Sequence, residues 1–294
     1  MRAPLITVAI PYLHDRATIG RAIQSVFAQS FTDWELLLVN DGARDGTDAM
    51  VAQISDARVR FAGDSSNRGL SARLNEIAQL ATAPYVARMD ADDIMHPLRL
   101  ERQLARLERA AGSAIVAGAV FTIDEHEAVR GVRGVQPLDP RPASVLRRGL
   151  LIHPTVMARK SWLLANPYDA THRRLEDLEL WLRTCSHTQF EHIAEPLLYY
   201  REPRTIRLSQ ALRSHSEWRQ LIRREGPSVL GWPGTLRALG EVYARDAAYR
   251  AAHALRRSDL VIDRRNMPLT QSSRDIAESG LAQVRASIVS GLTN

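Results

Sequence analysis

Along residues 5–123, short apolar runs rich in β-branched side chains alternate with stretches whose apolar positions recur every three to four residues. The runs suit buried strands and the longer period suits amphipathic helices, so the chain predicts repeated βαβ units around a largely parallel sheet. Strands are predicted at 6–10, 36–39, 59–61, 85–89 and 114–123. Ile19, Ala22, Ile23, Val26 and Phe27 mark a helix after the first strand, and a second helix is predicted over 70–81. Pro97 opens a third, bearing Leu100, Leu104 and Leu107. Residues 131–142, rich in Gly and Pro, read as an irregular connection.

From His153 the pattern gives a strand at 155–158, helices at about 160–166 and 176–186, and two short strands ending at 197–200. Beyond about 210 only helical periodicity remains, interrupted at Gly226-Pro227 and Gly231-Trp232-Pro233-Gly234. Leu236, Leu239, Val242, Tyr243 and Ala247 form an apolar stripe there. The division expected is an α/β domain over 1–210 followed by a helical extension over 211–294.

Charge changes this picture only at the end of the chain. The formal charge is +6, and residues 201–294 hold 16 Arg against 9 acidic residues, so the last third carries the imbalance. Lys160 is the one lysine beside 38 arginines, a bias that fits a GC-rich genome better than a nucleic-acid surface, and no nucleic-acid partner is expected. The basic tail reads first as a solvated helical surface, with peripheral contact to anionic lipid headgroups as the alternative. Cys185 is the sole cysteine, which excludes an intramolecular disulfide or a zinc cluster and suits a reducing, cytoplasmic setting. The first apolar run stops at Pro11, too early for a signal core, and no stretch approaches the ~20 apolar residues that span a bilayer.

The sharpest chemical feature is Asp90-Ala91-Asp92-Asp93 at the end of a predicted strand. Three carboxylates in four residues repel one another unless a cation joins them, and all-oxygen ligands point to a hard ion such as Mn²⁺ or Mg²⁺. A polar turn capping the next helix is the plainer explanation. Asn40-Asp41-Gly42 also ends a buried strand, which puts Asp41 on the same sheet edge, where open α/β sheets bind ligands. Asn67-Arg68-Gly69 precedes a helix whose first turn carries Arg73, a group able to clamp a diphosphate or pair with a helical carboxylate.

Five ordered blocks together resemble the inverting family-2 glycosyltransferases, whose catalytic domain has the Rossmann-like GT-A nucleotide-binding fold. They are Thr7-Val8-Ala9-Ile10-Pro11-Tyr12, Val39-Asn40-Asp41-Gly42-Ala43-Arg44-Asp45-Gly46-Thr47, Asn67-Arg68-Gly69-Leu70, Met89-Asp90-Ala91-Asp92-Asp93 and Leu175-Glu176-Asp177-Leu178-Glu179-Leu180-Trp181-Leu182-Arg183. The resemblance spans roughly residues 5–209. It implies a nucleotide-diphosphate-sugar donor, in the first instance a UDP-sugar, and a glycan or lipid-linked acceptor in surface polysaccharide assembly. By that resemblance Pro11 and Tyr12 border the uridine pocket, Asp41 meets the base, and Asn67 and Arg73 lie near the nucleotide. Asp90 with Ala91 contacts the ribose, and Asp92 ligates the metal.

The resemblance also assigns the catalytic base to Glu176-Asp177, with Asp177 preferred. Acceptor attack needs a carboxylate to take the hydroxyl proton, and the plainer explanation is charge complementarity at a helix start, worth ~0.3–1 kcal/mol. His153, Asp93 and Arg201 are candidates for acceptor or phosphate contacts. Two departures stand out. His14 replaces the usual Asn of the first loop, and Tyr200-Arg201-Glu202-Pro203 lacks the histidine that family members commonly carry, leaving either Glu202 as a substitute ligand or the metal with one fewer protein partner. A catalytically silent homologue and a sugar nucleotidyltransferase are the competing classes. The helical tail is a candidate for shaping the acceptor groove or a homodimer contact, with the protein cytoplasmic or peripheral at the inner membrane face.

Overall fold

The computed structural model describes residues 3–110, 112–172, 174–205 and 207–292. Strands β1 (Ile6–Tyr12), β2 (Trp34–Asp41), β3 (Val59–Asp64) and β4 (Tyr85–Arg88) alternate with helices α1 (Ile19–Phe27), α2 (Thr47–Val51) and α3 (Leu70–Leu80). Every residue of β1 and β2 is buried, which explains their unbroken apolar runs: both faces of a parallel sheet are covered. Next come β5 (Ile94–Met95), α4 (Arg99–Arg109), β6 (Ile115–Ile123), β7 (Val129–Arg133), α5 (Pro142–Arg148), β8 (Met157–Arg159) and α6 (Lys160–Ala165). The series ends with α7 (Glu176–Thr184), β9 (Phe190–Arg201), α8 (Leu208–Val229), α9 (Gly231–Ala254), α10 (Asp259–Ile262) and α11 (Gln271–Ala286).

The strands form one sheet in the order β3-β2-β1-β4-β8-β6-β9-β5, with β7 beside β6. β1 through β4 are mutually parallel. β8 is antiparallel to both β4 and β6, so β6 and its parallel partner β9 again run with β1. Six strands therefore share one direction, and their carboxyl ends make a common edge.

Gly63 fixes the register at that edge. It pairs with Asn40 at φ +86°, and a Cβ there would stand 2.1 Å from the Asn40 carbonyl oxygen.

Three sequence expectations change. The connection at 131–142 begins inside a strand, because β7 forms an antiparallel pair with β6. The two short strands before residue 200 are a single strand, β9, whose register against β6 shifts around Ala119↔Pro196, where proline interrupts the ladder. Pro227 lies within α8 rather than ending a helix.

The tail folds back as a helical hairpin, with His215 on Asp246 and Gly226 against Thr235. Leu221 and Ile222 of α8 join the core cluster of α5 and α7, and the Trp218 indole donates to the Leu146 carbonyl at 2.8 Å. Of the stripe read on α9, Val242 is buried and Leu239 packs inward, while Leu236 and Tyr243 are exposed. α11 packs through Ala277, Leu281 and Val284 on Ile94, Phe121 and Tyr199. Among the described residues no helix is long and apolar enough to cross a membrane.

Candidate active site

The acidic turn follows β4 directly. Met89 N–H still donates to the Ala9 carbonyl, and the chain then turns so that oxygens of Asp90, Asp92 and Asp93 lie within 4.8 Å of one another. Their environments differ. Both oxygens of Asp90 accept from the buried Arg88 guanidinium, at 2.5 and 3.0 Å. Asp93 is buried, and one oxygen accepts from the Arg201 amide at 2.9 Å while the other has no partner. Among the described residues no other residue donates a hydrogen bond to the Asp92 carboxylate, and burial first, then Asp90 and Asp15, pushes its pKa up to about 6. Asp93 is held well above the carboxylate range by burial and by Asp92 and Asp90.

Asp15, in the loop after β1, belongs to this group. Burial raises its pKa, and Asp90 and Asp45 add to the rise. Sequence reasoning passed over it because an aspartate in an irregular loop carries no pattern. Crowded hard-oxygen donors, one of them a buried orphan on Asp93, fit a divalent cation.

The Glu176-Asp177 pair begins α7, anchored by the buried Leu178 and Trp181. Burial first, then Asp177, pushes Glu176 up to about 7, and one of its oxygens has no partner. Asp177 is also raised, chiefly by burial. His153 stands behind them: its Nε2 is 2.9 Å from the Tyr168 hydroxyl and its Nδ1 3.8 Å from Glu176. Burial and the Arg88 charge push the imidazole well below its usual range, so it is neutral. It lies within the wall rather than presenting itself to a ligand.

Arg88 connects the two groups of acids. Burial works against its charge, while Asp90, Tyr168, Glu176 and Asp93 support it. Glu176 and Asp177 in turn both feel Asp90. An arginine closing an apolar strand reads in sequence as a solvent-facing end, so this residue too went unnoticed.

Beside these acids lies a cleft of about 670 Å³ bordered by Pro11, Tyr12, Asp15, Asp41, Asn67, Arg68 and Arg73 and closed by Ala170, His172, Arg174 and α8. The Tyr12 hydroxyl donates to Asp48 at 2.6 Å, which fixes the ring as cleft wall. Asp41 accepts from the amides of Arg68 and Gly69 and from Arg73 Nε at 3.0 Å.

Arg73 takes the second of the two roles open to it, pairing with a helical carboxylate, Glu76. Its side chain is fully buried, and it donates to Asp41, Asp64, Glu76 and the Ser66 carbonyl, so it clamps the 64–69 loop instead of reaching a diphosphate. Arg201 likewise holds backbone, donating to the carbonyls of Asp92, Asp124 and Glu125. Glu202 does not replace the missing histidine, because Arg133 and Arg265 occupy its two oxygens. Ala91 is buried within the turn, and Asn67 is exposed on the cleft rim.

This architecture is that of the GT-A glycosyltransferases. *Staphylococcus aureus* TarS (residues 1–349), solved in complex with UDP-GlcNAc, superposes with a TM-score of 0.62 at 15% identity over 95% of this chain and 80% of that one. The mannosyltransferase PcManGT of Pyrobaculum calidifontis, solved with GDP-Man and Mn²⁺, gives 0.55 at 17% identity over 97% and 87%. In sequence, the chain is 33% identical to the putative glycosyltransferase EpsE of Bacillus subtilis over 61% of its own length and 66% of that protein. Residues 7–162 match glycosyl transferase family 2, and the chain belongs to that family.

Proposed function

We propose that this glycosyltransferase moves a sugar from a nucleotide-diphosphate donor, a UDP-sugar in the first instance, to an acceptor hydroxyl with inversion at the anomeric carbon. A glycan or lipid-linked acceptor of surface polysaccharide assembly is the matching acceptor class. The observation that supports the reading is Arg88: its buried guanidinium donates to both oxygens of Asp90 and lies within electrostatic reach of Glu176 and Asp177, as expected if the acidic turn and the α7 acids serve one site.

In this reading the nucleoside lies in the cleft between Pro11, Tyr12 and Asp41. Asp92, with the free oxygen of Asp93, would hold a Mn²⁺ or Mg²⁺ ion, which supplies Lewis-acid neutralisation of charge on the departing diphosphate. Asp177, less buried than Glu176, takes the proton of the incoming hydroxyl, and its raised pKa makes it a stronger base than an ordinary carboxylate. The hydroxyl oxygen bonds to the anomeric carbon as the bond to the diphosphate breaks, and attack opposite the leaving group inverts the configuration.

The test is incubation with Mn²⁺ or Mg²⁺ and a panel of nucleotide sugars, read by mass spectrometry. Release of nucleoside diphosphate, by transfer or slow hydrolysis, is expected. Pyrophosphate formation from a nucleoside triphosphate and a sugar phosphate marks a nucleotidyltransferase instead, and silence across the panel marks a binding homologue.

A further inference from the structure

The cleft that holds Asp41 has a second wall, and it comes from the helical tail. Arg213 and Glu217 of α8 line it together with Arg174, from the segment leading to Glu176. The wall is tied to that segment: Glu217 accepts from the Arg174 amide at 3.2 Å, and the Ser71 hydroxyl on α3 donates to the His172 carbonyl at 3.0 Å. The cleft is thus spanned from α3 to α8 by the chain that delivers the α7 acids.

The charges on the two walls are not alike. On the Asp41 side each guanidinium already has carboxylate partners, Arg73 with three and Arg68 with Glu76. On the α8 side, among the described residues, the Arg174 side chain makes no hydrogen bond or ion pair, and Arg213 makes only a 3.3 Å bond to the Ser209 carbonyl of its own helix. Two uncommitted guanidinium groups facing a cavity that also admits Asp92's neighbour Asp15 are suited to an anion with several acceptor oxygens.

We infer that α8 is part of the donor site and that Arg174 and Arg213 bind the phosphates of the nucleotide from the wall opposite Asp41. This rests on the nucleotide-sugar reading above and extends it to residues beyond the matched family segment. It also gives the tail a task in ligand binding.

Calorimetric titration of the full chain with UDP and with uridine, in the presence of Mn²⁺, tests it. Arg174→Gln and Arg213→Gln are each expected to weaken UDP binding about tenfold. Uridine affinity should stay unchanged, and UDP binding by the double variant should depend less on salt. Circular dichroism confirms that the variants are folded, and Arg213→Lys, which keeps the charge, should retain part of the affinity. Wild-type binding of UDP with no loss in the double variant overturns the inference alone. Equal losses for uridine and UDP overturn the phosphate assignment. Failure of the wild type to bind any nucleotide overturns the donor reading itself.

Discussion

Two carboxylate-rich regions share one edge of this sheet, on either side of β1, and are built in opposite ways. Around Arg73, the acids Asp41, Asp64 and Glu76 are all satisfied by one buried guanidinium. On the far side of β1, at the end of β4, Asp92 takes no hydrogen bond from another described residue and Asp93 keeps an orphan oxygen. Burial and neighbouring carboxylates push both up in pKa, Asp92 through Asp90 and Asp15 and Asp93 through Asp92 and Asp90. The first arrangement stabilises a loop; the second holds like charges together at a cost in stability. The lesson is that Asp, Glu and Arg in a motif do not announce their use: partners decide which carboxylates form scaffold and which remain open to a ligand.

The comparison is most severely tested at Asp92. Asp92→Asn is expected to abolish cation-dependent donor binding, with turnover falling on the order of a thousandfold or more; retention of Mn²⁺-dependent UDP binding by calorimetry would break the contrast. Asp177→Asn should leave donor binding intact and lower kcat by about 10²–10⁴. Unchanged turnover would remove Asp177 from its role. On the satisfied side, Arg73→Gln leaves three acids without their cation and should cost about 3–5 kcal/mol, read as a lower urea midpoint.

pH sharpens the contrast further. Glu176 has its folded pKa pushed up to about 7, so the stability it contributes is fully present below the unfolded carboxylate range and is lost as pH rises through 7. Glu176→Gln should therefore raise the melting temperature relative to wild type at pH 8 and change it little at pH 4. The smallest effect is expected at Glu202→Gln: with both oxygens already held by arginines, its loss should leave Mn²⁺ affinity unaltered.

Much of the fold was legible because β1 and β2 are apolar on both faces and α1 and α4 repeat cleanly. β7 was not, since Val129-Arg130-Gly131-Val132-Arg133 sits at a sheet margin and carries charges like a loop. β9 was split in the reading because Glu195-Pro196 looks like a turn, yet β6 pairs across it through a shifted register. In the site, the motif acids could be found, whereas Arg88 and Asp15 could not. Their importance comes from burial and from neighbours brought in by the fold, and neither follows from local spacing. Arg73 was found, but the sequence does not show that Asp64 joins Asp41 and Glu76 in holding its guanidinium.

Gly63 carries a consequence for how this chain can vary. Any side chain there would drive β3 off β2 at the Asn40 carbonyl and displace Asp64, the next residue, from the Arg73 guanidinium. A position that does not line the cleft is thereby closed to nineteen of the twenty amino acids, and drift along this margin of the sheet must step around it.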